Sequence, residues 1–287
     1  MSIESTARRL FVDLPPSLQR YVLRRTGRVP DWADGRPPAP PPCPPGMAVG
    51  PPDFVGVGVS KAGTTWWFSL VLAHPDVHGP VRKELMYFNR FFLQRYRTQG
   101  CSDEDLRSYH DWFPRPAGTV TGEWTPSYFV QYLLPAVLRR AAPDAKLLVL
   151  LRDPVDRYQS DISRRMPRQR RNNVRFRSLP NGLYAAKLAP WEEAFDADAM
   201  LVLQYESCVL DPAGQLAATY RFLGLDDSFR PAALLDPVNK TKVKQPLDEG
   251  FRRLLVDLYE GDVASVAARY PQIDLALWPN FAYLAGA

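Results

Sequence analysis

FVGVGVSKAGTTWW, running from Phe54 to Trp67, decides how this chain folds. Phe54 to Val59 is a short β-branched run that ends in glycine-rich turn material, and a helix is expected to follow from Thr65 to Ala73, stopped by His74-Pro75. A strand that passes through a glycine loop into a helix frames a phosphate-binding site, because backbone N–H groups and the helix N-terminus converge on an anion. The loop Gly58-Val59-Ser60-Lys61-Ala62-Gly63-Thr64-Thr65 carries two glycines five apart. Thr64 stands where a nucleotide-kinase loop places its lysine, and the lysine lies earlier, at Lys61. The loop therefore predicts a nucleotide ligand without promising ATP; read alone, it is also an ordinary glycine turn with an exposed lysine.

Outward from this stretch the pattern stays α/β. KLLVLL (Lys146 to Leu151) is a continuous apolar run of the kind buried on both faces of a parallel sheet, and Pro154 suits a first helical turn. MLVLQY (Met200 to Tyr205) is a third such run, and Asp211-Pro212 opens a helix through about Phe222. Strands separated by helices pair in parallel through right-handed crossovers. The expected fold is α/β, a P-loop-like three-layer arrangement with a central parallel sheet flanked by helices. Ligands in such sheets bind at the carboxyl ends of strands, so chemistry is expected in the loops after Val59, Leu151 and Tyr205.

K-x-G-T-T-W after a buried strand resembles the 5′-phosphosulfate loop of sulfotransferases that use 3′-phosphoadenosine 5′-phosphosulfate (PAPS). The resemblance implies that Lys61 meets the bridging oxygen and the leaving 5′-phosphate. Ala62, Gly63, Thr64 and Thr65 would hold that phosphate, and Trp66 would lie near the adenine, although its aromatic neighbours also suit it to core packing. Arg152-Asp153-Pro154-Val155-Asp156-Arg157-Tyr158-Gln159-Ser160 resembles the family's 3′-phosphate motif, an arginine at a strand end followed eight residues later by a serine. Arg152 offers a fixed fork of donors, and Ser160 lies up to two turns along the next helix. The likeness covers roughly residues 53 to 283.

Sulfuryl transfer to a hydroxyl needs a base near the attacking oxygen and positive charge near the leaving one. Arg82-Lys83-Glu84-Leu85-Met86-Tyr87-Phe88 resembles the K-E-x-x-F/Y-F segment of heparan-modifying carbohydrate sulfotransferases, which implies Glu84 as base and Lys83 beside the acceptor. His78 is the rival base. Thr121-Gly122-Glu123-Trp124-Thr125-Pro126-Ser127-Tyr128-Phe129 looks like the stretch lining the acceptor cleft, implying roles there for Glu123, Trp124 and Tyr128. Trp124 stands where the heparan-modifying enzymes commonly carry lysine, and an aromatic suits stacking on a sugar or ring face. Lys240, Lys242 and Lys244 fall where the family has a basic loop over the 3′-phosphate and adenosine; three alternating lysines are otherwise ordinary surface charge.

The chain has 287 residues, 46 % of them hydrophobic and 23 % charged, which excludes disorder and small disulfide scaffolds. Its net charge of +5 comes from one run, RRMPRQRRNNVRFR, with seven arginines and no acid from Arg164 to Arg177; the remainder is slightly acidic. That run reads as a flap over an anionic donor, as a site for an anionic acceptor, or as solvated loop. Three dispersed cysteines (Cys43, Cys101, Cys208) and three histidines predict neither a disulfide framework nor a metal site. The N-terminus lacks a signal-peptide pattern and no long apolar run occurs, so a cytoplasmic location and no transmembrane segment are expected. Residues 1–29 are read as a helical extension, 30–52 as a proline-rich connector and 53–287 as the sulfotransferase domain. The resemblance implies transfer of a sulfuryl group from PAPS to a hydroxyl of a small-molecule, carbohydrate or glycolipid acceptor, giving 3′-phosphoadenosine 5′-phosphate (PAP), with no metal and no nucleic-acid partner expected. The rivals are a P-loop kinase and a non-catalytic nucleic-acid-binding module built on the arginine run.

Overall fold

The computed structural model describes residues 40–81, 83–88, 93, 96–97, 100–163, 177–232, 234 and 245–286. The expected N-terminal helix, the connector up to residue 39, nearly all of the arginine run, and Lys240, Lys242 and Lys244 lie outside the described residues. Two compact units are present. In the smaller, which includes Tyr87–Asp103, the Tyr87 and Phe88 rings meet edge to face at 5.0 Å, and a helical turn closes where Gly100 N–H donates to the Tyr96 carbonyl at 2.9 Å.

The larger unit holds Pro41–Met86 and Glu104–Ala287. Along the chain the elements are β1 Phe54–Gly58, α1 Thr64–Val71, β2 Val77–His78, α2 Asp103–His110, β3 Val120–Trp124, α3 Leu134–Ala141, β4 Lys146–Leu151, α4 Pro154–Ile162, α5 Tyr184–Ala194, β5 Met200–Gln204, α6 Tyr205–Leu210, α7 Pro212–Leu223 and α8 Glu249–Arg269. The five strands form one sheet in the order β2-β3-β1-β4-β5, and every neighbouring pair is parallel. β1 sits at the centre, with Val55 facing Glu123 of β3 and Leu147 of β4. All five β1 residues and five of the six in β4 are buried, as their unbroken apolar composition requires when helices cover both faces.

The helices fall into two packed groups. Trp67 of α1 donates its indole N–H to Thr219 of α7 at 3.2 Å, and the Tyr220 hydroxyl donates to the Leu70 carbonyl at 2.8 Å. In the second group α8 packs on α4 and α5, and Asp262 of α8 caps α5 by accepting from the Ala185 and Ala186 amides at 2.9 and 3.2 Å. Among the described residues no helix is long and apolar enough to cross a membrane.

The three expected strands and, among the described residues, the three expected helices after Gly63, Asp153 and Asp211 are present, with small shifts. β5 ends at Gln204, so Tyr205 opens a helix instead of closing the strand. α7 starts after Asp211, whose carboxylate accepts from the Gly214 amide, and stops at Gly224 with φ +81°. Residues 41–52 of the proline-rich stretch belong to the larger unit, where Ala48 exchanges backbone hydrogen bonds with Arg115 and Arg115 pairs with Asp53 at 3.3 Å.

Candidate active site

The β1–α1 loop and the residues after β4 meet at the carboxyl edge of the sheet. Val59 N–H donates to the Leu150 carbonyl at 3.1 Å, which pins the start of the loop to β4. Lys61 and Gly63 then take left-handed conformations, with φ of +76° and +84°. α1 begins without a side-chain cap, so its first-turn amides have no capping oxygen. Ala62 and Thr64 are buried, while Lys61, Gly63 and Thr65 are half-buried at the loop surface. Trp66 is 6 % exposed, and its buried indole N–H has no partner.

Arg152 leaves β4 directly against this loop. Its Nη1 donates to the Lys61 carbonyl at 3.3 Å, and Nη2 reaches Asp156 at 3.4 Å. Its Nε is buried without a partner, and the guanidinium lies 4.9 Å over the Tyr205 ring. The same ring meets Trp66 edge-on at 6.3 Å and comes so near Gly63 that a β-carbon there would sit 2.6 Å from it. Tyr205 thus joins the two loops. Sequence reading placed it only at a strand end, although its aromatic side chain at a sheet's carboxyl edge was the signal available.

Beneath Arg152 lies a fastened carboxylate pair. Asp153 caps α4 through the Val155 and Asp156 amides, at 2.9 and 3.2 Å, and its other oxygen accepts from Asn280 N and Nδ2 at 3.1 and 2.8 Å. Glu206 accepts from the Asp153 amide at 3.1 Å and the Trp278 indole at 2.8 Å. Burial pushes the Glu206 carboxyl up to about 7, against the pull of those hydrogen bonds and of Arg152. Ser160 is buried on α4, at the expected distance along the helix. Sequence reading carried no sign of Asn280 or Trp278 reaching this motif.

The segment from Lys83 to Met86 approaches α1. Lys83 Nζ hydrogen-bonds the Thr65 hydroxyl and lies 4.0 Å from a Glu84 carboxylate oxygen. Partial burial lowers the Lys83 pKa below that of an ordinary lysine, opposed by the neighbouring Glu84 charge. Glu84 is 41 % exposed and takes φ +54°. His78, the rival base, lies on β2 opposite Thr121.

The acceptor-side expectation needs correcting at three positions. Trp124 is 0 % exposed; its ring fills the space where Gly56 lacks a β-carbon, and its indole N–H donates to the Gly58 carbonyl at 3.2 Å. It is a core residue with no face for a sugar. Glu123 is 0 % exposed and Tyr128 1 % exposed, and the two bond each other inside the unit. The cleft roles were implied by resemblance to a family stretch, whereas the fold turns Thr121, Glu123 and Thr125 inward; Glu123 and Thr125 find hydrogen-bond partners there, and the Thr121 hydroxyl is buried without one.

A parallel sheet with a glycine loop and a strand-end arginine in contact defines a P-loop-like α/β protein. The chain belongs to the sulfotransferase family: the model described as "Sulfotransferase domain" matches residues 51–245. It is 35 % identical over 191 residues to the mouse (Mus musculus) heparan sulfate glucosamine 3-O-sulfotransferase 3B1, covering 61 % of this chain and 46 % of that protein. It is 33 % identical over 235 residues to the mouse heparan sulfate glucosamine 3-O-sulfotransferase 6, covering 69 % of this chain and 65 % of that one. The chain thus spans about half to two thirds of the length of these relatives. Among solved structures, a sulfotransferase from Alicyclobacillus acidocaldarius shares the fold, with a TM-score of 0.62 at 24 % identity, over 80 % of this chain and 99 % of that one.

Proposed function

We propose that this chain moves a sulfuryl group from PAPS to a hydroxyl of a carbohydrate acceptor and releases PAP. The observation that carries the reading is the hydrogen bond from Arg152 Nη1 to the Lys61 carbonyl at 3.3 Å, which joins two motifs suited to the two phosphate ends of one donor. Lys61, the loop amides and the Thr64 and Thr65 hydroxyls hold the 5′-phosphate, and Arg152 and Ser160 hold the 3′-phosphate, toward which the unpartnered Arg152 Nε is a spare donor. As the acceptor oxygen forms its bond to sulfur, Glu84 takes the hydroxyl proton. The bond from sulfur to the 5′-phosphate oxygen breaks, and Lys61 stabilises the electron pair left on that oxygen. Lys83, between Thr65 and Glu84, supplies a cation between donor loop and base. The carbohydrate class is supported by the relatives, both glycan 3-O-sulfotransferases by name. A cytoplasmic setting belongs to the same proposal.

Calorimetry with PAP against ATP·Mg²⁺ tests the donor. PAP is expected to bind in preference, and Arg152→Ala to weaken it by about 10- to 100-fold, the worth of one or two charge-assisted hydrogen bonds. Preference for ATP, or unchanged PAP affinity in Arg152→Ala, overturns the reading. Radiolabelled PAPS offered with an N-sulfated heparan oligosaccharide, a neutral glycoside and a simple phenol tests the acceptor class; label passing to the phenol alone refutes a carbohydrate acceptor.

A further inference from the structure

We infer that Glu123 is a positioning residue for the base: from inside the core it holds the backbone on which Glu84 is mounted. This rests on the reading of Glu84 as base. One carboxylate gathers four donors. Its Oε1 accepts from the Tyr109 hydroxyl at 2.7 Å and the Tyr128 hydroxyl at 3.1 Å, Oε2 accepts from the Thr125 hydroxyl at 2.6 Å, and the backbone amide of Leu85 also donates to it. Thr125, having given its proton to Glu123, accepts from the Met86 amide at 3.3 Å. The two amides immediately after Glu84 therefore end on one buried cluster.

The local backbone needs such a hold. Glu84 and Met86 both sit at positive φ, +54° and +53°, a conformation that costs a residue with a β-carbon about 1–2 kcal/mol. Such a turn persists only where its surroundings fix it. On the N-terminal side Lys83 is tied to Thr65 at the start of α1; on the C-terminal side Leu85 and Met86 are tied to the end of β3. Glu84 is held between the donor loop and the sheet. Burying a carboxylate is costly, and desolvation raises the Glu123 pKa above the usual range while its hydrogen bonds pull it back. An apolar side chain would fill the same volume without that cost. What it could not do is accept the Leu85 amide and orient the Thr125 hydroxyl toward Met86. General-base catalysis depends on a reacting pair being placed to within a fraction of an ångström, and a misplacement of about 1 Å lowers rates on the order of 100-fold.

The test uses the full chain in two measurements. Amide exchange at Leu85 and Met86 reads the hold without any acceptor: Glu123→Gln and Thr125→Val are expected to speed exchange at least tenfold there, while Thr125→Ser keeps it slow. PAP release from PAPS with an N-sulfated heparan oligosaccharide reads the consequence. Glu123→Gln and Thr125→Val are expected to lower kcat by about 10- to 100-fold, with PAP affinity unchanged by calorimetry and Thr125→Ser near wild type. In a Glu84→Gln background neither change is expected to lower the residual rate further, a non-additivity that a general loss of structure would not produce. Unchanged exchange in Thr125→Val, or full additivity with Glu84→Gln, overturns the inference. Full turnover in Glu84→Gln overturns the choice of base instead, and the exchange data then still decide whether Glu123 holds the turn.

Discussion

Gly63→Ala is a severe test of how the two loops are joined. Gly63 has φ +84°, which costs alanine about 1–2 kcal/mol. The added β-carbon would stand 2.6 and 2.7 Å from two Tyr205 ring carbons, where about 3.5–4.0 Å is comfortable, so the ring must retreat by about 1 Å. Overpacking of this kind costs about 1–3 kcal/mol, giving about 2–5 kcal/mol in all and a fall in Tm of roughly 5–15 °C. The ring also lies beneath Arg152 and against Trp66, so its retreat reaches the side proposed to hold the 3′-phosphate, and PAP affinity is expected to drop at least tenfold. Urea unfolding of Gly63→Ala, Tyr205→Ala and the double variant separates the contributions. The double variant is expected to recover about 1–3 kcal/mol relative to additivity, because the overlap vanishes while the φ cost remains. Gly63→Ala within about 0.5 kcal/mol of wild type, or strict additivity with Tyr205→Ala, would refute the reasoning.

Glu206 makes stability depend on pH. Its carboxyl stands at about 7 in the fold against 4.5 unfolded, so the folded state binds the proton more tightly. Its contribution is fully present below pH 4.5 and is lost as pH rises to 7, by at most about 3 kcal/mol. Glu206→Gln is therefore expected to lessen the decline in urea midpoint between pH 5 and pH 8, and an unchanged decline would sink this account. Trp124→Phe removes the donor to the Gly58 carbonyl and part of the ring that fills the space above Gly56. It should cost about 1–3 kcal/mol and leave the acceptor KM within twofold. A raised KM at unchanged stability would return Trp124 to the acceptor site.

The parts of the fold legible in the sequence were those whose composition matches their burial. β1, β4 and β5 are apolar runs buried as such, and the glycine loop announces itself through Gly63, which only that conformation requires. β3 was illegible as a strand because Thr121 and Glu123 are polar and yet buried; Glu123 finds its partners in Tyr109, Thr125 and Tyr128, and the Thr121 hydroxyl has none. Glu123 and Trp124 were read as cleft-lining because their stretch resembles one that lines the acceptor cleft in the family, and that likeness does not reveal which way their side chains turn. Lys61, Arg152 and Ser160 could be placed because motif spacing along a strand and helix fixes their positions. The left-handed turn at Glu84 could not, since neither glutamate nor methionine advertises a positive φ. Tyr205 as the link between loops was not read, because its contact with Gly63 is made between segments far apart in the sequence.

The hydrogen bonds that reach Asp153 and Glu206 from Asn280 and Trp278 have a consequence for biosynthesis. Asn280 emerges 127 residues after Asp153, so a nascent chain carries both proposed phosphate motifs long before the groups that fasten them exist. Until then Asp153 and Glu206 would be buried without these donors, a penalty of about 1–3 kcal/mol for each missing partner, and hydration of the open edge is favoured over closure. The proposed donor site is thus assembled late, and cleavage of the chain between about residues 270 and 277 would disarm it while leaving every residue of both motifs in place.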